Sequence, residues 1–534
     1  MSHLSTVKHV WSDLLLLLPP AMVGLTLGLA GNPSDAVRLA FLSAAGIWLT
    51  TAMIRKKVQK WWIVMGIWWS VFLLDAVLRS ISWLLFDSDV EAYLIISSVA
   101  NTTQQELLEF VSLHFITFLT MLLLILTVVV SVLMLTQKYV QPVRFGQRGV
   151  IGKGVFSLLG LLTVAAYLIE PSRNLHPIAF WTQYHDKILA FQAGIHQHKH
   201  LHTQWDANAK QTTTENSPFD RQTHVLVLTD SVTSQNLSVC GYPRQTTPHL
   251  EQYLQQVSVF CHAYASAPAT IPSLKLKLTN LPTAQSNDAR TMSLLSGAKA
   301  HGYKIFWISN QSDSYISSLF GSYAHQTVYL NQKSGRSTQS LDEKVLPAYQ
   351  QALQDAHAKK LIVVHLMGAH PNYHQRYPEQ FARFEGQDRI EQLMDQQGYS
   401  EWVQVQRNHY DNAVLYQDWM FKQLFDRLIG TPKDAYRSFV FVSDHGNEVG
   451  HERNYIGHSP HTQAGYQVPL IVWHDHIKQT GVSAKMVKTA ELDVYMMRMM
   501  GIQSRSSDDL KTWLDEGYQF PVSSDWPYWK KKGA

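Results

Sequence analysis

The sequence predicts an amino-terminal α-helical bundle of five membrane spans followed by an α/β domain built on a mainly parallel sheet. Three observations predict it. Residues up to about 170 are strongly apolar, and the remainder is mixed and polar. The apolar part holds five stretches, each near the ~20 residues needed to cross a bilayer core. In the polar part, short β-rich runs alternate with helical stretches, the pattern of a doubly wound sheet.

Whole-chain averages hide that split: of 534 residues 46% are hydrophobic and 16% charged, with a net charge of +4. Two or more domains are expected at this length. No basic stripe or arginine-rich arm appears, which argues against nucleic acid as a partner. Two cysteines, Cys240 and Cys261, stand in the polar half. They are too few for a metal cluster, and they can pair if that half lies in an oxidising compartment.

The apolar stretches are 14–30, 37–54, 61–77, 113–135 and 150–168. The first lacks a small-residue cleavage pattern after it and reads as a retained span. The fourth carries no formal charge, whereas Asp75 stands near the end of the third. "RKKVQK" (55–60) and "QKYVQPVRFGQRG" (137–149) are basic connections, so both belong in the cytoplasm. An odd number of spans then places everything after Glu170 outside, which in a bacterium means the periplasm or the outer surface. The longer loop 79–112 contains "SSVANTTQQELLEFV", where a helix around 97–110 would set Thr102, Glu106 and Glu109 on one face. Spacing alone reads this as a solvated connector at the membrane surface.

Residues 1–170 thus form the membrane part, 171–222 a linker rich in His, Gln and Thr, and 223–534 the α/β domain. "HQHKHLH" (196–202) lies in the linker, and nothing in the sequence fixes a metal geometry there. The β-rich runs of the last part are "HVLVLT" (224–229), "KIFWIS" (304–309), "KLIVVHLM" (360–367), "SFVFVS" (438–443) and "VPLIVW" (468–473). Helical stretches such as 340–356 and 410–428 separate them.

Ligands of doubly wound sheets bind beyond the carboxyl ends of the strands. Asp230 follows the first run, His370 the third, and Asp444 and His445 the fourth, with His451, His458 and His461 further on. Between the first two runs, "ASAPATIPSLKLKLTN" sets Thr270 before a helix with Pro272 in its first turn. Singly, each has an ordinary use: Asp230 and Thr270 as helix caps, the histidines as surface groups. Together, carboxylates and imidazoles at one sheet edge suit a divalent metal, and a mixed N/O set suits zinc.

"SDHG" after a strand, "GYPRQTTPHL", "MGAHPNYHQRYP" and five spans ahead of them together resemble the bacterial phosphoethanolamine transferases of the alkaline phosphatase/sulfatase superfamily. The resemblance implies a sulfatase-like periplasmic domain on a multi-pass inner-membrane anchor, acting as a monomer. It implies transfer of phosphoethanolamine from phosphatidylethanolamine to a surface glycolipid, lipopolysaccharide lipid A or core, through a zinc-activated threonine and a covalent intermediate. Thr270 takes the nucleophile's place, with Ser266 as rival. Asp230, Thr270, Asp444 and His445 take the metal positions, though Asp230 stands where the family has glutamate in a "GE" pair. His370 matches the family's "GSHGP" histidine on the substrate side. The "LHG" histidine is His458 or His461, with His458 the better fit. "TTQQELLE" resembles the family's "TNxxEAxE" and implies Thr102 and Glu106 at the donor head group. Three other readings remain: a sulfatase or phosphodiesterase hydrolase, for which "CxPSR" is missing; a transferase to periplasmic glucans or a glycerol-phosphate polymerase; and a non-catalytic lipid sensor.

Overall fold

A computed structural model describes residues 2–503 apart from 31, 59, 87–89, 91–95, 97–98, 100–110, 112–114, 140–149, 197, 215–218, 280–291, 312–313, 332–339 and 387. The chain forms two compact units. One comprises Met1–Ile96 and Phe110–Ala190, and the other includes Phe191–Ala534.

Among the described residues, the first unit contains the helices α1 (Ser2–Leu29), α2 (Pro33–Ser43), α3 (Ala45–Arg55), α4 (Trp61–Phe86), α5 (Phe115–Tyr139) and α6 (Val150–Leu168), followed by helical residues up to its end. Leu16, Leu39, Ile47, Phe72, Val129 and Phe156, one from each, meet in a single buried cluster. The outward face is apolar as well: Ile67, Leu122, Leu158 and Leu161 are each more than half exposed. A helix apolar all round is one that meets other helices or lipid. Each of the five expected stretches is helical where described. Two runs, Pro33–Arg55 and Trp61–Trp83, are long and apolar enough to cross a membrane, and Leu15–Leu29, Leu119–Ser131 and Gly152–Leu168 are shorter apolar helices. The expectation of five spans is therefore met in part: two runs reach spanning length, and the other three are shorter apolar helices. Asp75, the charge in the third stretch, pairs with Arg79 one turn on at 3.0 Å, both nearly fully buried. Trp181 Nε1 donates to Asp75 at 2.7 Å, and the Arg79 guanidinium lies over the Phe180 ring. The carboxylate is thus fully matched within the apolar unit, as its burial requires.

The stretch 171–222, read from composition as a linker, includes the helices α7 (Pro177–His196) and α8 (His198–Ala209). Trp205 on α8 is fully buried and stacks 6.1 Å from Phe320 in the core of the second unit. His202 bonds Leu319 O at 2.8 Å, which is a packing role. One large aromatic in a polar stretch anchors the helix, and averaging over the stretch conceals it.

The second unit is organised by eight strands: β1 (Gln222–Thr229), β2 (Ser258–Tyr264), β3 (Lys304–Ser309), β4 (Gln326–Tyr329), β5 (Lys359–His365), β6 (Tyr436–Ser443), β7 (Gln467–His474) and β8 (Gly481–Lys488). Their order is β8-β2-β7-β6-β1-β5-β3-β4. All pairings are parallel except those of β7, which runs antiparallel to both β6 and β2. The sheet is mixed, and "VPLIVW" is its reversed strand. Alternation along β1 feeds two cores: Leu226 and Leu228 face one, Val225 and Val227 the other. A strand buried on both faces carries no polar alternation, hence the unbroken apolar run. Helix α9 (Thr270–Lys277) packs Ile271 and Leu274 into the first core. Helix α10 (Glu401–Ile429), capped by Ser400 on Val403 N, packs Met420, Phe421, Leu424 and Leu428 into the second.

Candidate metal and catalytic site

Register alone brings two carboxylates together. In the parallel pair β1 and β6, Thr229 lies opposite Ser443, so Asp230 and Asp444 leave the sheet side by side. Asp444 N bonds Thr229 O at 2.9 Å across the gap. The turn after Asp230 is strained: Ser231 has φ +60°, which costs a non-glycine residue about 1–3 kcal/mol. Surrounding contacts hold it there. Ser231 N donates to Asp444 Oδ1 (3.0 Å), Val232 N to Ser443 Oγ (2.9 Å), and Tyr410 OH to Ser231 O (2.7 Å). From the other side, Gly368 at φ +60° presses on the Asp230 backbone, and a Cβ there would stand 2.3 Å from Asp230 O. Asp342, buried, accepts Met367 N and Gly368 N at 2.8 and 3.0 Å and fixes that loop.

Each carboxylate is half used. Asp444 Oδ1 accepts His445 N and Ser231 N, and Asp230 Oδ2 accepts Gln311 Nε2 at 2.8 Å. Asp230 Oδ1 and Asp444 Oδ2 are buried with no hydrogen-bond partner among the described residues. Burial, and then the neighbouring Asp444 charge, push the Asp230 carboxyl well above the usual range. His445 Nδ1 lies 2.8 Å from Gly446 O and donates to it, which leaves Nε2 as the lone pair. Nε2 stands 3.5 Å from Asp444 Oδ2 and 3.9 Å from Asp230 Oδ1. One ligand atom from each of Asp230, Asp444 and His445 falls within 4.8 Å of the others, and all three residues are buried. Two orphaned carboxylate oxygens and the Nε2 atom of His445, gathered within 4.8 Å, fit a divalent cation.

Thr270 opens α9 at its first residue. Its Oγ1 lies 3.4 Å from both Asp230 Oδ2 and His445 Nε2. The helix dipole favours negative charge at that end. His458 sets its ring edge-on to His445, centroids 4.5 Å apart. His461 is held through its backbone N by Ser459 Oγ at 3.2 Å. His370 ends the Gly368 loop, and its carbonyl accepts Arg376 Nε at 3.2 Å. Thr102 and Glu106 lie outside the described residues.

Two site neighbours escaped the sequence reading. Gln311 stands two residues past β3, so the strand-end argument that selects Asp230 selects it too. Arg376, buried in "MGAHPNYHQRYP", favours the Asp230 carboxylate electrostatically. "GYPRQTTPHL" braces the fold: Arg244 pairs with Asp388 (2.6 Å) and Asp411 (2.7 Å), Tyr242 OH donates to Asp411, and Asp418 accepts His249 N and Leu250 N. Just ahead of it, Cys240 and Cys261 form a disulfide with Cα atoms 5.6 Å apart, tying this segment to β2.

The chain is similar in sequence and in fold to known proteins. A phosphoethanolamine transferase EptC of Escherichia coli (strain K12) is 31% identical over 272 residues, 48% of this chain and 46% of that one. The Kdo(2)-lipid A phosphoethanolamine 7''-transferase of Salmonella typhimurium is 26% identical over 258 residues, 47% of this chain and 44% of that one. The chain thus spans about half the length of the curated relatives it matches. In fold it is similar to the integral membrane lipooligosaccharide phosphoethanolamine transferase A of Neisseria meningitidis, with TM-score 0.55 and 16% identity over 93% of this chain and 96% of that one. The sulfatase family pattern matches residues 222–502, more than half of the chain, and the chain belongs to the sulfatase family.

Proposed function

We propose that the chain transfers phosphoethanolamine from phosphatidylethanolamine to a surface glycolipid, lipopolysaccharide lipid A or core, through a covalent phosphoethanolamine intermediate on Thr270. The observation that carries this reading is the position of Thr270 Oγ1, at a helix start and 3.4 Å from two members of the Asp230, Asp444 and His445 set. Asp230, Asp444, His445 and Thr270 would hold a zinc ion, which would supply a Lewis acid beside the Thr270 hydroxyl. Thr270 Oγ1 gives up its proton to solvent and attacks phosphorus, and the bond from phosphorus to the ester oxygen of diacylglycerol breaks. His370 or His458 stabilises the phosphoryl oxygens or gives the leaving oxygen its proton. An acceptor oxygen then attacks the same phosphorus and frees Thr270. Two curated relatives are named phosphoethanolamine transferases, and one of those names includes lipid A.

Thr102 and Glu106 hold the donor head group in this scheme. The apolar first unit, inserted as a five-span inner-membrane anchor, keeps the site beside a donor that stays in the bilayer. The disulfide supports an oxidising location, the periplasm. The test uses the purified full-length chain with fluorescent phosphatidylethanolamine. Diacylglycerol release that stops with chelator and falls at least ~1,000-fold in Thr270→Ala is expected. Release untouched by chelator, or retained in Thr270→Ala, refutes the reading. Free phosphoethanolamine with no modified acceptor assigns a hydrolase instead.

A further inference from the structure

Helix α9 carries, besides Thr270, a residue that is costly where it stands. Lys277 is fully buried, and burial pushes its ammonium down to about 7. Its Nζ donates to Ser443 O at 3.1 Å and to Thr489 Oγ1 at 2.6 Å. Thr489 Oγ1 in turn donates to Tyr264 O, at the end of β2. Four residues earlier on the same helix face, Ser273 Oγ donates to Asp444 O at 2.5 Å. The helix therefore grips two consecutive carbonyls, 443 and 444, at the end of β6.

Ser443 is itself a hub. Its hydroxyl donates to His445 O at 2.7 Å and accepts Val232 N, just past Asp230. Thr270, Ser273 and Lys277 follow the i, i+3, i+7 row of a single helix face. The nucleophile and both clamps thus share one stripe, and that stripe is docked on the strand end bearing Asp444 and His445.

We propose that Ser273 and Lys277 are positioning residues that set the register of helix α9 against β6, and so place Thr270 Oγ1 at the metal-binding set. A helix slipped by a fraction of an ångström would keep its apolar packing and lose the near-attack geometry. The inference rests on the functional reading above for its kinetic arm alone.

The test uses the full-length chain with zinc and compares the parent with Ser273→Ala, Ser273→Thr and Lys277→Met. Zinc retention is read by competition with a chromogenic chelator, and turnover by diacylglycerol release from phosphatidylethanolamine. Lys277→Met and Ser273→Ala are expected to lower kcat roughly 10–100-fold with donor KM within about twofold, and to weaken zinc retention roughly tenfold. Ser273→Thr, which keeps the hydroxyl, restores both. Turnover and zinc retention within about twofold of the parent in both variants, with only Tm altered, overturns the proposal. If Lys277→Met does not fold, the Ser273 pair decides. If the parent itself releases no diacylglycerol, the functional reading fails while the zinc-retention arm still decides the clamp.

Discussion

Asp230 and Asp444 each have one oxygen bonded by a protein donor and one left over, and the chemistry of the site follows from that division. Gln311 makes the division at Asp230: its Nε2 bonds Asp230 Oδ2 and Leu366 O, at 2.8 and 3.0 Å. Gln311→Leu removes the orienting donor at similar volume and should weaken zinc retention roughly 10–100-fold, measured by chelator competition. Lys277 supplies a second prediction, in pH. The folded ammonium titrates at about 7, whereas the unfolded chain holds that proton to about 10.4. Between those values the unfolded state binds more protons, so stability rises with pH. Thermal melts of the parent should therefore gain on those of Lys277→Met from pH 7.5 to 9.5. Parallel curves would show that the amine is not desolvated.

At the scale of elements, the sheet edge does most of the assembling, and most of it was legible. The runs at 224–229 and 438–443 end where β1 and β6 end. Parallel register then delivers Asp230 beside Asp444 without further information. The reversed sense of β7 was hidden because a strand buried on both faces reads alike in either direction. β2, β4 and β8 lie outside the apolar runs of the sequence, the outer β4 and β8 being the exposed, mixed-polarity edges of the sheet. Arg244 lay inside a stretch that marked the family, yet its partners Asp388 and Asp411 stand 144 and 167 residues away. No local pattern reports such a contact. Gly368 tests the loop that presses on Asp230. Gly368→Ala meets the Asp230 backbone at positive φ and should cost at least ~2 kcal/mol of stability by denaturant melts. Reducing the Cys240–Cys261 bond opens a loop with a sequence separation of 21. About 3 kcal/mol should be lost, readable as a lower urea midpoint.

For the whole molecule, two units divide the labour by solvent. Among the described residues of the first, an apolar cluster packs the helices, and the buried carboxylate of Asp75 is matched by Arg79 and Trp181. The second carries buried anionic oxygens that a cation would neutralise. Zinc at about 100 times its Kd should add about 2.7 kcal/mol to the stability of the second unit. A Tm that rises with zinc in the parent and stays flat in Asp444→Ala is the expected outcome. The measurement closest to the central claim is peptide mass spectrometry on the full-length chain, quenched after mixing with phosphatidylethanolamine and no acceptor. The account predicts phosphoethanolamine on Thr270, absent when chelator precedes the donor. Turnover with the group on another residue such as Ser266, or on none, would contradict it.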